Sequence, residues 1–295
     1  MANLAIKIEE LTKDFGAERG VFDLNLEVAQ GEIFGYLGPN GAGKTTTIRV
    51  LLDFARPSRG RAEIFGLDHQ KESVKIHQRI GYLPGEYELY KNLTGEEFLK
   101  FLASLRGGVD WKKVKELAER FNSNLSQPIR TLSHGNKQKL GLIQAFMHEP
   151  DLLILDEPTT GLDPLTQHEF FHLLEEAKAK GQTVFLSSHI LPEVERSCER
   201  VAILRKGKLV ALETVKSLKE RALRPIEVHF KEKPAQKDFV SLGLQNLNID
   251  GETLTCTVPG DMEKLIQALA KYKVATLVTQ EPNLEEIFLK YYGES

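Results

Sequence analysis

Short apolar segments alternate with helical patterns along the first three quarters of the chain. Leu4–Glu9 and Phe22–Val28 alternate apolar and polar residues, which is typical of half-buried strands. A helix is predicted over Pro164–Lys180, because Asp163 can cap its start and Gly181 follows its end. Continuous apolar runs, suited to buried strands, stand at Ile33–Leu37, Leu152–Leu155, Val184–Leu186 and Val201–Leu204. This alternation predicts an α/β fold with a mostly parallel sheet covered by helices on both faces.

The strand pattern fades between Tyr87 and Lys139. Thr94–Leu105 is amphipathic, and Thr94 with Glu97 forms the residue pair of a capping box at its start. Lys112–Phe121 is a second helix candidate. These features predict a helical subdomain, over about residues 87–139, inserted in the α/β domain.

After Pro225 the pattern becomes that of a small α+β domain. Asn283 and Glu286 form a capping pair at the start of its last predicted helix. Its predicted strands are Ile226–Phe230, Thr253–Val258 and Lys273–Thr279, and its predicted helices are Met262–Ala270 and Leu284–Tyr292. We therefore predict an α/β domain over residues 1–222 and an accessory α+β domain over residues 223–295.

Composition narrows the class of protein. The chain has 295 residues, of which 41% are hydrophobic and 27% charged, and a formal net charge of −3. Proteins that bind nucleic acid through phosphate contacts usually carry a basic surplus, so we expect no nucleic-acid partner. No run approaches the roughly 18 apolar residues of a membrane-spanning helix, and the N-terminus resembles no secretory signal. Cys198 and Cys256 match no metal-ligand spacing, so we expect inert thiols in a cytoplasmic protein.

The residues after the Ile33–Leu37 strand fit the phosphate-binding pattern G-x-x-x-x-G-K-[ST]. In order they are Gly38, Pro39, Asn40, Gly41, Ala42, Gly43, Lys44 and Thr45. A helix is predicted from Thr46, and this strand–loop–helix context is the one that the pattern requires. The glycines let backbone N–H groups surround phosphate oxygens, while Lys44 reaches the β- and γ-phosphates and the Thr45 hydroxyl binds Mg²⁺. The motif predicts a nucleoside triphosphate site, without distinguishing a GTPase, a kinase, a helicase and a transport ATPase.

Two acidic residues end the buried strand Leu152–Leu155. Asp156 is placed to hold a metal ion through its water shell, as in other phosphate-loop enzymes. Glu157 faces another direction and can polarise an attacking water as a general base. His189 follows another strand, at the edge where α/β proteins bind ligands, and can contact the γ-phosphate and the water. Alone, the acids fit a solvated turn equally well and the histidine fits a surface residue better. The phosphate loop favours the catalytic interpretation.

The order of the motifs carries a family resemblance. Leu132–Asn136 (LSHGN) precedes the LLILDE strand, and Thr160–Asp163 (TGLD) follows it. With these segments, the stretch from Leu4 to about Leu218 resembles the ATP-binding cassette of ABC transporters, most of all the cassette subunits of bacterial drug and antibiotic exporters. The resemblance implies a phosphate-loop NTPase of the ABC type. Such a chain has a mixed sheet with helices on both faces, N-terminal antiparallel strands, a helical insertion and here a small C-terminal α+β domain.

The resemblance also implies roles for single residues. Phe15 matches the aromatic residue that stacks on adenine, and the phosphate loop extends to Thr46. Ser133 and Gly135 match the signature motif, whose helix N-terminus meets the γ-phosphate held by the opposite subunit. Asp163 matches the loop that links the two active sites. ATP with Mg²⁺ is therefore the expected ligand.

The family mechanism follows from the same resemblance. Asp156 matches the metal-site acid, Glu157 the catalytic base and His189 the switch histidine. Two cassettes, as a homodimer or a heterodimer, close face to face over two ATP molecules, and hydrolysis opens them. The motion passes through the helical insertion to a separate integral-membrane permease, which places this chain at the inner face of the cell membrane. A helix that opens at Ser133 has free N–H groups that need an anion, and a second subunit can supply it.

The chain departs from the family pattern at two places. The usual signature is LSGGQ, and here His134 and Asn136 replace its third and fifth residues. After Ile80–Pro84 the family usually has a glutamine that reaches Mg²⁺, whereas this chain has Gly85 followed by Glu86. A glycine has no side chain to bind a metal, so Glu86 or a water takes that role or the contact is lost.

Three functions stand on the sequence alone. The leading one is the ATPase subunit of a membrane exporter. A soluble cassette ATPase acting in translation or on DNA is disfavoured by the single phosphate loop, the absence of a heptad run and the lack of basic surplus. The third hypothesis is a cassette that binds ATP but hardly hydrolyses it. The presence of Glu157 and His189 argues against this hypothesis, whereas Gly85 in place of the usual glutamine leaves it open. An apolar cluster either receives a helix of the membrane partner or packs the insertion's own core; its members are Tyr87, Tyr90 and Leu93.

Overall fold

The computed structural model describes residues 3–86, 88–221, 223–259 and 262–279. Its first elements are β1 (Leu4–Asp14), β2 (Gly20–Ala29), β3 (Ile33–Leu37), α1 (Lys44–Leu51), β4 (Arg59–Ile64), β5 (Leu67–Asp68), α2 (Ser73–Gln78) and β6 (Ile80–Leu83). There follow α3 (Gly95–Leu105), α4 (Trp111–Arg120), a 3-10 turn (Ile129–Thr131), α5 (His134–Phe146), β7 (Leu152–Asp156), α6 (Pro164–Ala179), β8 (Thr183–Ser188) and α7 (Leu191–Ser197). The remaining elements are β9 (Arg200–Arg205), β10 (Lys208–Thr214), α8 (Val215–Arg221), β11 (Leu223–Phe230), α9 (Lys237–Val240), β12 (Gln245–Asp250), β13 (Thr253–Pro259), α10 (Glu263–Leu269) and β14 (Val274–Thr279).

The central sheet has the strand order β10-β9-β3-β8-β7-β6. β3 pairs in parallel with β8 and β9, and β7 pairs in parallel with β6 and β8. β10 follows β9 after only two residues, and so short a connection can join neighbouring strands only if they are antiparallel. The sheet is therefore mixed, as expected. Because β3, β7 and β8 run in the same direction, their carboxyl ends lie at one edge of the sheet. The phosphate loop, Glu157 and His189 all follow these ends.

The N-terminal strands form a second sheet, with the order β2-β1-β4-β5 and antiparallel pairing. The alternating apolar residues of β1 and β2, such as Ile6 and Leu24, are buried in one cluster with Tyr36 of the central sheet and Ile48 of α1. The Tyr36 hydroxyl lies 2.9 Å from Thr47 Oγ1, which adds a hydrogen bond inside this core. The shared core therefore fixes α1, and with it the phosphate loop, on the central sheet.

The helices α3, α4 and α5 separate β6 from β7, where the helical insertion was predicted. The predicted capping box of α3 is present: Thr94 Oγ1 accepts from Glu97 N at 3.2 Å, and Glu97 Oε2 accepts from Thr94 N at 2.8 Å. Arg120 of α4 donates two hydrogen bonds to Glu176 of α6, at 2.7 and 2.8 Å, and one to Glu169. The insertion is thus joined to α6 by a bidentate ion pair.

The strands β11 to β14 form a third sheet, antiparallel, with the order β12-β13-β11-β14. With α9 after β11 and α10 after β13, the element order is β-α-β-β-α-β, the split arrangement of ferredoxin-like domains. Phe239 of α9 and Leu265 of α10 are buried against Val228 and Leu254 of the sheet. The small α+β domain is therefore present, with α9 and β12 added to the elements that the sequence predicted.

The chain divides into two compact units, Met1–Leu212 and Glu213–Ser295. This division falls within β10, ten residues before the boundary predicted at residue 222, because the prediction followed a change of sequence pattern and the division follows contacts. In the described ranges no helix is long and apolar enough to cross a membrane. The predicted helix Leu284–Tyr292 and the predicted contact residue Tyr87 lie outside the described residues.

Candidate active site

The phosphate loop connects β3 to α1 and turns at glycines. Gly43 precedes α1 with a φ of 107°, and a Cβ added there would lie 2.8 Å from Val21 Cγ2, so the position requires glycine. Lys44 is buried, and its Nζ donates to the carbonyl oxygens of Gly38 and Pro39 at 2.5 and 3.4 Å. The first N–H groups of α1 have no acceptor within the helix, and the helix dipole makes this end positive. The loop therefore presents donors and positive charge to an anion.

The outer part of the loop is open to solvent. Pro39, Asn40 and Gly41 are exposed, as is the side chain of Thr45, whereas Ala42 is buried and donates its N–H to Pro39 O at 3.1 Å. Thr46, the last loop residue implied by the family, is half-buried in the first turn of α1. A ligand can therefore reach the loop from one side, while the other side is fixed to the core.

Asp156 ends β7, and it is 1% exposed. Its Oδ2 accepts from Thr45 Oγ1 at 2.7 Å, and its Oδ1 accepts from Ser187 Oγ at 2.6 Å. The structure thus brings together the hydroxyl and the carboxylate that were expected to hold Mg²⁺. Gly85 lies beside them, since a Cβ added there would be 3.4 Å from Asp156 Oδ2. The next residue, Glu86, is exposed.

Glu157 turns out of the strand with a φ of 51°, in the left-handed region that non-glycine residues seldom adopt. Its Oε2 is 2.7 Å from His189 Nδ1, and its Oε1 is 3.1 Å from Lys44 Nζ. The lysine does not approach along a hydrogen-bond direction, so Oε1 is a buried oxygen with no donor among the described residues. Backbone strain and an unsatisfied buried oxygen together are typical of a functional site.

These groups fit a nucleoside triphosphate with a divalent cation. Mg²⁺ takes oxygen ligands and usually binds one or two carboxylates together with substrate phosphates. Thr45 and Asp156 present a hydroxyl and a carboxylate side by side. The described part of the chain contains no cluster of three or more His, Cys, Asp or Glu residues that could hold a metal ion. A cation at this place would therefore need the phosphates of the nucleotide to complete its ligands.

The signature residues lie at the N-terminus of α5. Ser133 Oγ caps the helix by accepting from Asn136 N at 3.3 Å. Gly135 packs on the loop after β7, because a Cβ added to it would be 2.4 Å from Gly161 O. His134, one of the departures from the family signature, lies over the same Gly161, whose own added Cβ would be 2.5 Å from His134 Cδ2. The signature and the loop after β7 therefore pack as one surface, and the contacts of Gly135 are with this loop and not with the phosphate loop.

Asp163 caps α6 on that same surface. Its Oδ2 accepts from Thr166 Oγ1 at 2.7 Å and its Oδ1 from Thr166 N at 2.9 Å. These hydrogen bonds, first that of the hydroxyl and then that of the backbone N–H, lower the pKa of Asp163 to about 2. Lys139 of α5 adds an ion pair, with Nζ 3.4 Å from Oδ2. Within one chain, Asp163 is thus attached to the signature helix.

Phe15 lies in the turn between β1 and β2, and it is 60% exposed. Lys13 Nζ lies 4.9 Å from the centre of its ring. Gly20, at the end of the same turn, lies against the phosphate loop: its carbonyl oxygen is 3.1 Å from the Cβ position of Gly43. An exposed aromatic ring in the turn beside the loop is suited to stacking on a base.

Two further residues, to which the sequence assigned no role, hold the segments that carry Glu157 and His189. Glu193, 7% exposed in the first turn of α7, accepts from Ser188 Oγ at 2.8 Å and also from Thr159 Oγ1. Gln138 of α5 donates to Pro158 O at 2.9 Å and to Glu157 O at 3.3 Å. The one signal for Glu193 in the sequence is its position, one helical turn after His189. That signal is weak, because a glutamate in the first turn of a helix is ordinarily a solvated residue.

Comparison with known proteins identifies the family. Residues 21–160 match the family described as ABC transporter. The chain is 40% identical over 222 residues to the probable multidrug ABC transporter ATP-binding protein YbhF of Escherichia coli (strain K12), a match that covers 74% of this chain but only 38% of YbhF. It is 36% identical over 300 residues to the bacitracin transport ATP-binding protein BcrA of Bacillus licheniformis, covering 98% of this chain and 97% of BcrA.

A solved structure described as an ATP binding subunit of an ABC transporter has 33% sequence identity and a TM-score of 0.67, covering 73% of this chain and 92% of the other. The chain thus has a relative that matches it along almost its whole length, and a fold shared with a known cassette. Both confirm the resemblance carried by the motifs. The chain therefore belongs to the ABC transporter family, as an ATP-binding subunit with the ABC ATPase fold.

Proposed function

We propose that the chain hydrolyses ATP as the cassette subunit of an exporter, with a separate membrane permease as its partner. The observation that carries the proposal is the contact of Glu157 with both Lys44 and His189, at 3.1 and 2.7 Å. The three side chains meet at one point at the edge of the sheet, which supports a role for Lys44 in binding phosphate and for Glu157 as the general base. The names of BcrA and YbhF, which refer to bacitracin and multidrug transport, support the assignment to export.

The chain's own residues divide the chemistry between them. The phosphate loop binds the triphosphate, and Lys44 neutralises charge on its terminal phosphates. Glu157 accepts the proton of the water that attacks the γ-phosphorus, the bond to ADP breaks, and ADP and phosphate are released. His189 orients the Glu157 carboxylate through its ring nitrogen. Thr45 and Asp156 would hold Mg²⁺, which supplies charge neutralisation on the phosphates.

A second cassette completes this site in the proposal. Ser133 and Gly135 open α5, whose first N–H groups lack intrahelical acceptors and suit an anion. Gly135 packs on the loop after β7 of its own chain, so the phosphate at this helix end belongs to another copy or to a sister chain. Asp163 lies on the same surface and links the two sites. Completion of the site only in the dimer would couple hydrolysis to association.

The permease partner is proposed to contact the helical insertion. Tyr90 is 58% exposed, and its ring packs on Phe98 and Phe101 of α3, with centroids 6.2 and 5.8 Å apart. Tyr90 therefore packs within the insertion, and the surface that it still exposes supports the proposal that a partner helix docks there. Docking here would hold the chain at the inner face of the membrane.

Native co-purification tests the partner. The tagged full-length chain is isolated from detergent-solubilised membranes, and a polytopic membrane protein is expected with it. The variant Phe101→Ser should lose that protein, whereas Val210→Ser, which changes a similarly exposed apolar residue on the edge strand β10, should retain it. Recovery of ribosomes or DNA in place of a membrane protein would overturn the proposal in favour of a cassette acting in translation or on DNA.

A further inference from the structure

A buried carboxylate is hydrogen-bonded to the segments that carry the proposed catalytic residues Glu157 and His189. Glu193 is in the first turn of α7, and only 7% of it is exposed. Burial of a carboxylate costs free energy unless the group accepts hydrogen bonds, so the donors to Glu193 identify what stabilises it. They are two hydroxyl groups from two different segments of the chain.

The first partner belongs to the loop that carries Glu157. Thr159, two residues after the catalytic base, is 2% exposed, and its Oγ1 donates to Glu193 Oε1. The same loop is where the backbone of Glu157 adopts its positive φ, a conformation that persists only when the surroundings enforce it. The hydrogen bond from Thr159 supplies part of that enforcement.

The second partner belongs to the strand end that carries His189. Ser188, the last residue of β8, is fully buried, and its Oγ donates to Glu193 Oε2 at 2.8 Å. Ser188 Oγ also accepts a hydrogen bond from Ile190 N at 2.9 Å. The single hydroxyl hydrogen of Ser188 is directed to Glu193, because Oε2 at 2.8 Å is much closer than the other acceptor in reach, Ile190 O at 3.5 Å. The residues on both sides of His189 are therefore fixed by one hydroxyl.

We infer that Glu193 is a positioning residue for hydrolysis, whose carboxylate ties the loop after Glu157 to the strand end before His189. The inference rests on the proposed catalytic roles of those two residues. The carboxylate holds the segments at the distance at which His189 Nδ1 and Glu157 Oε2 are 2.7 Å apart. A charged carboxylate can accept from both hydroxyls at once, which neither a protonated acid nor an amide can do in the same way.

The electrostatics of the group agree with this geometry. Burial raises the pKa of Glu193, and the hydrogen bonds from Thr159 and Ser188 oppose that rise. The charge of nearby Glu157 raises the pKa further, while His189 lowers it. The two hydroxyls therefore do more than fill space, because they favour the ionised form that both of them can bind.

The test is steady-state ATP hydrolysis by the full-length chain with Glu193→Gln. We expect kcat to fall roughly 10- to 100-fold, the range found when a residue that orients a functional group is changed. KM for ATP should change by less than about twofold, because the phosphate loop is untouched. Glu199→Gln is the matched control: it removes one negative charge from an exposed residue just after α7, which pairs with Lys178, and should leave kcat unchanged.

A double-mutant cycle separates positioning from general stability. Thr159→Val removes one hydroxyl and should also lower kcat, and Thr159→Val with Glu193→Gln should be no worse than the worse single variant, because both break one link. The inference would be overturned if the kcat losses of the two single variants multiplied in the double variant. It would also be overturned if kcat fell only in variants whose melting temperature also fell. If Glu193→Gln does not fold, the folded variant Thr159→Val decides the question. A wild-type kcat in Thr159→Val would then overturn the inference, and a reduced kcat at unchanged KM would support it.

The parallel variant Glu157→Gln distinguishes this inference from the proposed function. Loss of turnover in Glu157→Gln with wild-type kcat in Glu193→Gln would refute the positioning role alone. Wild-type turnover in Glu157→Gln would refute the catalytic assignment on which both depend.

Discussion

Replacement of Glu157 by glutamine isolates the charge at the centre of the site. Glutamine keeps the shape of the side chain and its contact distance to His189, but it cannot accept a proton from water. General-base catalysis contributes roughly 10²- to 10⁴-fold to a rate, or about 3–5 kcal/mol of barrier. We therefore expect the kcat of Glu157→Gln to fall by that factor.

The ion pair with Lys44 predicts an opposite effect on binding. At 3.1 Å between Nζ and Oε1, the gross attraction is on the order of 5 kcal/mol at an effective dielectric constant of about 20. Most of it is offset by the cost of burying both charges, and removal of the acid also removes its repulsion of the triphosphate. We expect a net gain on the order of 1 kcal/mol, which is a roughly fivefold tighter Kd for ATP.

Phosphate release and equilibrium titration with a fluorescent ATP analogue measure the two quantities on the same preparation. Glu175→Gln on the exposed face of α6 is the control for loss of one negative charge and should behave as wild type in both assays. Unchanged turnover in Glu157→Gln would refute its role as the base. Weaker nucleotide binding, with turnover lost in proportion, would indicate a structural role instead.

Three further outcomes are expected. Static light scattering should give the mass of two chains for Glu157→Gln with saturating ATP, and a one-chain mass would contradict a site shared between subunits. Phe15→Ala should raise KM for ATP about 5- to 150-fold, since stacking on a base contributes about 1–3 kcal/mol. Phe15→Tyr should restore the wild-type KM, and an unchanged KM in Phe15→Ala would remove Phe15 from the site. Gly135→Ala should lower kcat roughly 10²-fold with little change in ATP binding by the single chain, because its methyl group meets Gly161 O; wild-type turnover would exclude the signature from catalysis.

The meeting of the proposed catalytic residues could be predicted because adjacent parallel strands determine their places. Lys44, Glu157 and His189 each follow a buried apolar strand, and β3, β8 and β7 are neighbours in that order. Their side chains therefore meet at one edge of the sheet without any need to know the rest of the packing. Glu193 could not be predicted in this way. Its burial depends on hydroxyls from two other segments, and its spacing from His189 is too weak a signal to reveal such a contact.

Two of the strands that the sequence did not predict, β4 and β12, share a physical cause. β4 (Arg59–Ile64) has two arginines and buries only Ala62 and Ile64, and β12 (Gln245–Asp250) has no buried residue. Both pair with an apolar neighbour, β1 or β13, which supplies the buried face. Such a strand is stabilised by its partner rather than by its own pattern, so hydrophobic periodicity does not reveal it.

Ion pairs near both ends of α6 join this helix to the helical insertion. Lys139 of α5 holds Asp163 at the start of α6, and Arg120 of α4 holds Glu176 near its end. The two attachments are about 20 Å apart along the helix axis at 1.5 Å per residue, and two fixed points resist rotation as well as translation. A push on α4 is therefore transmitted along α6 to Asp163.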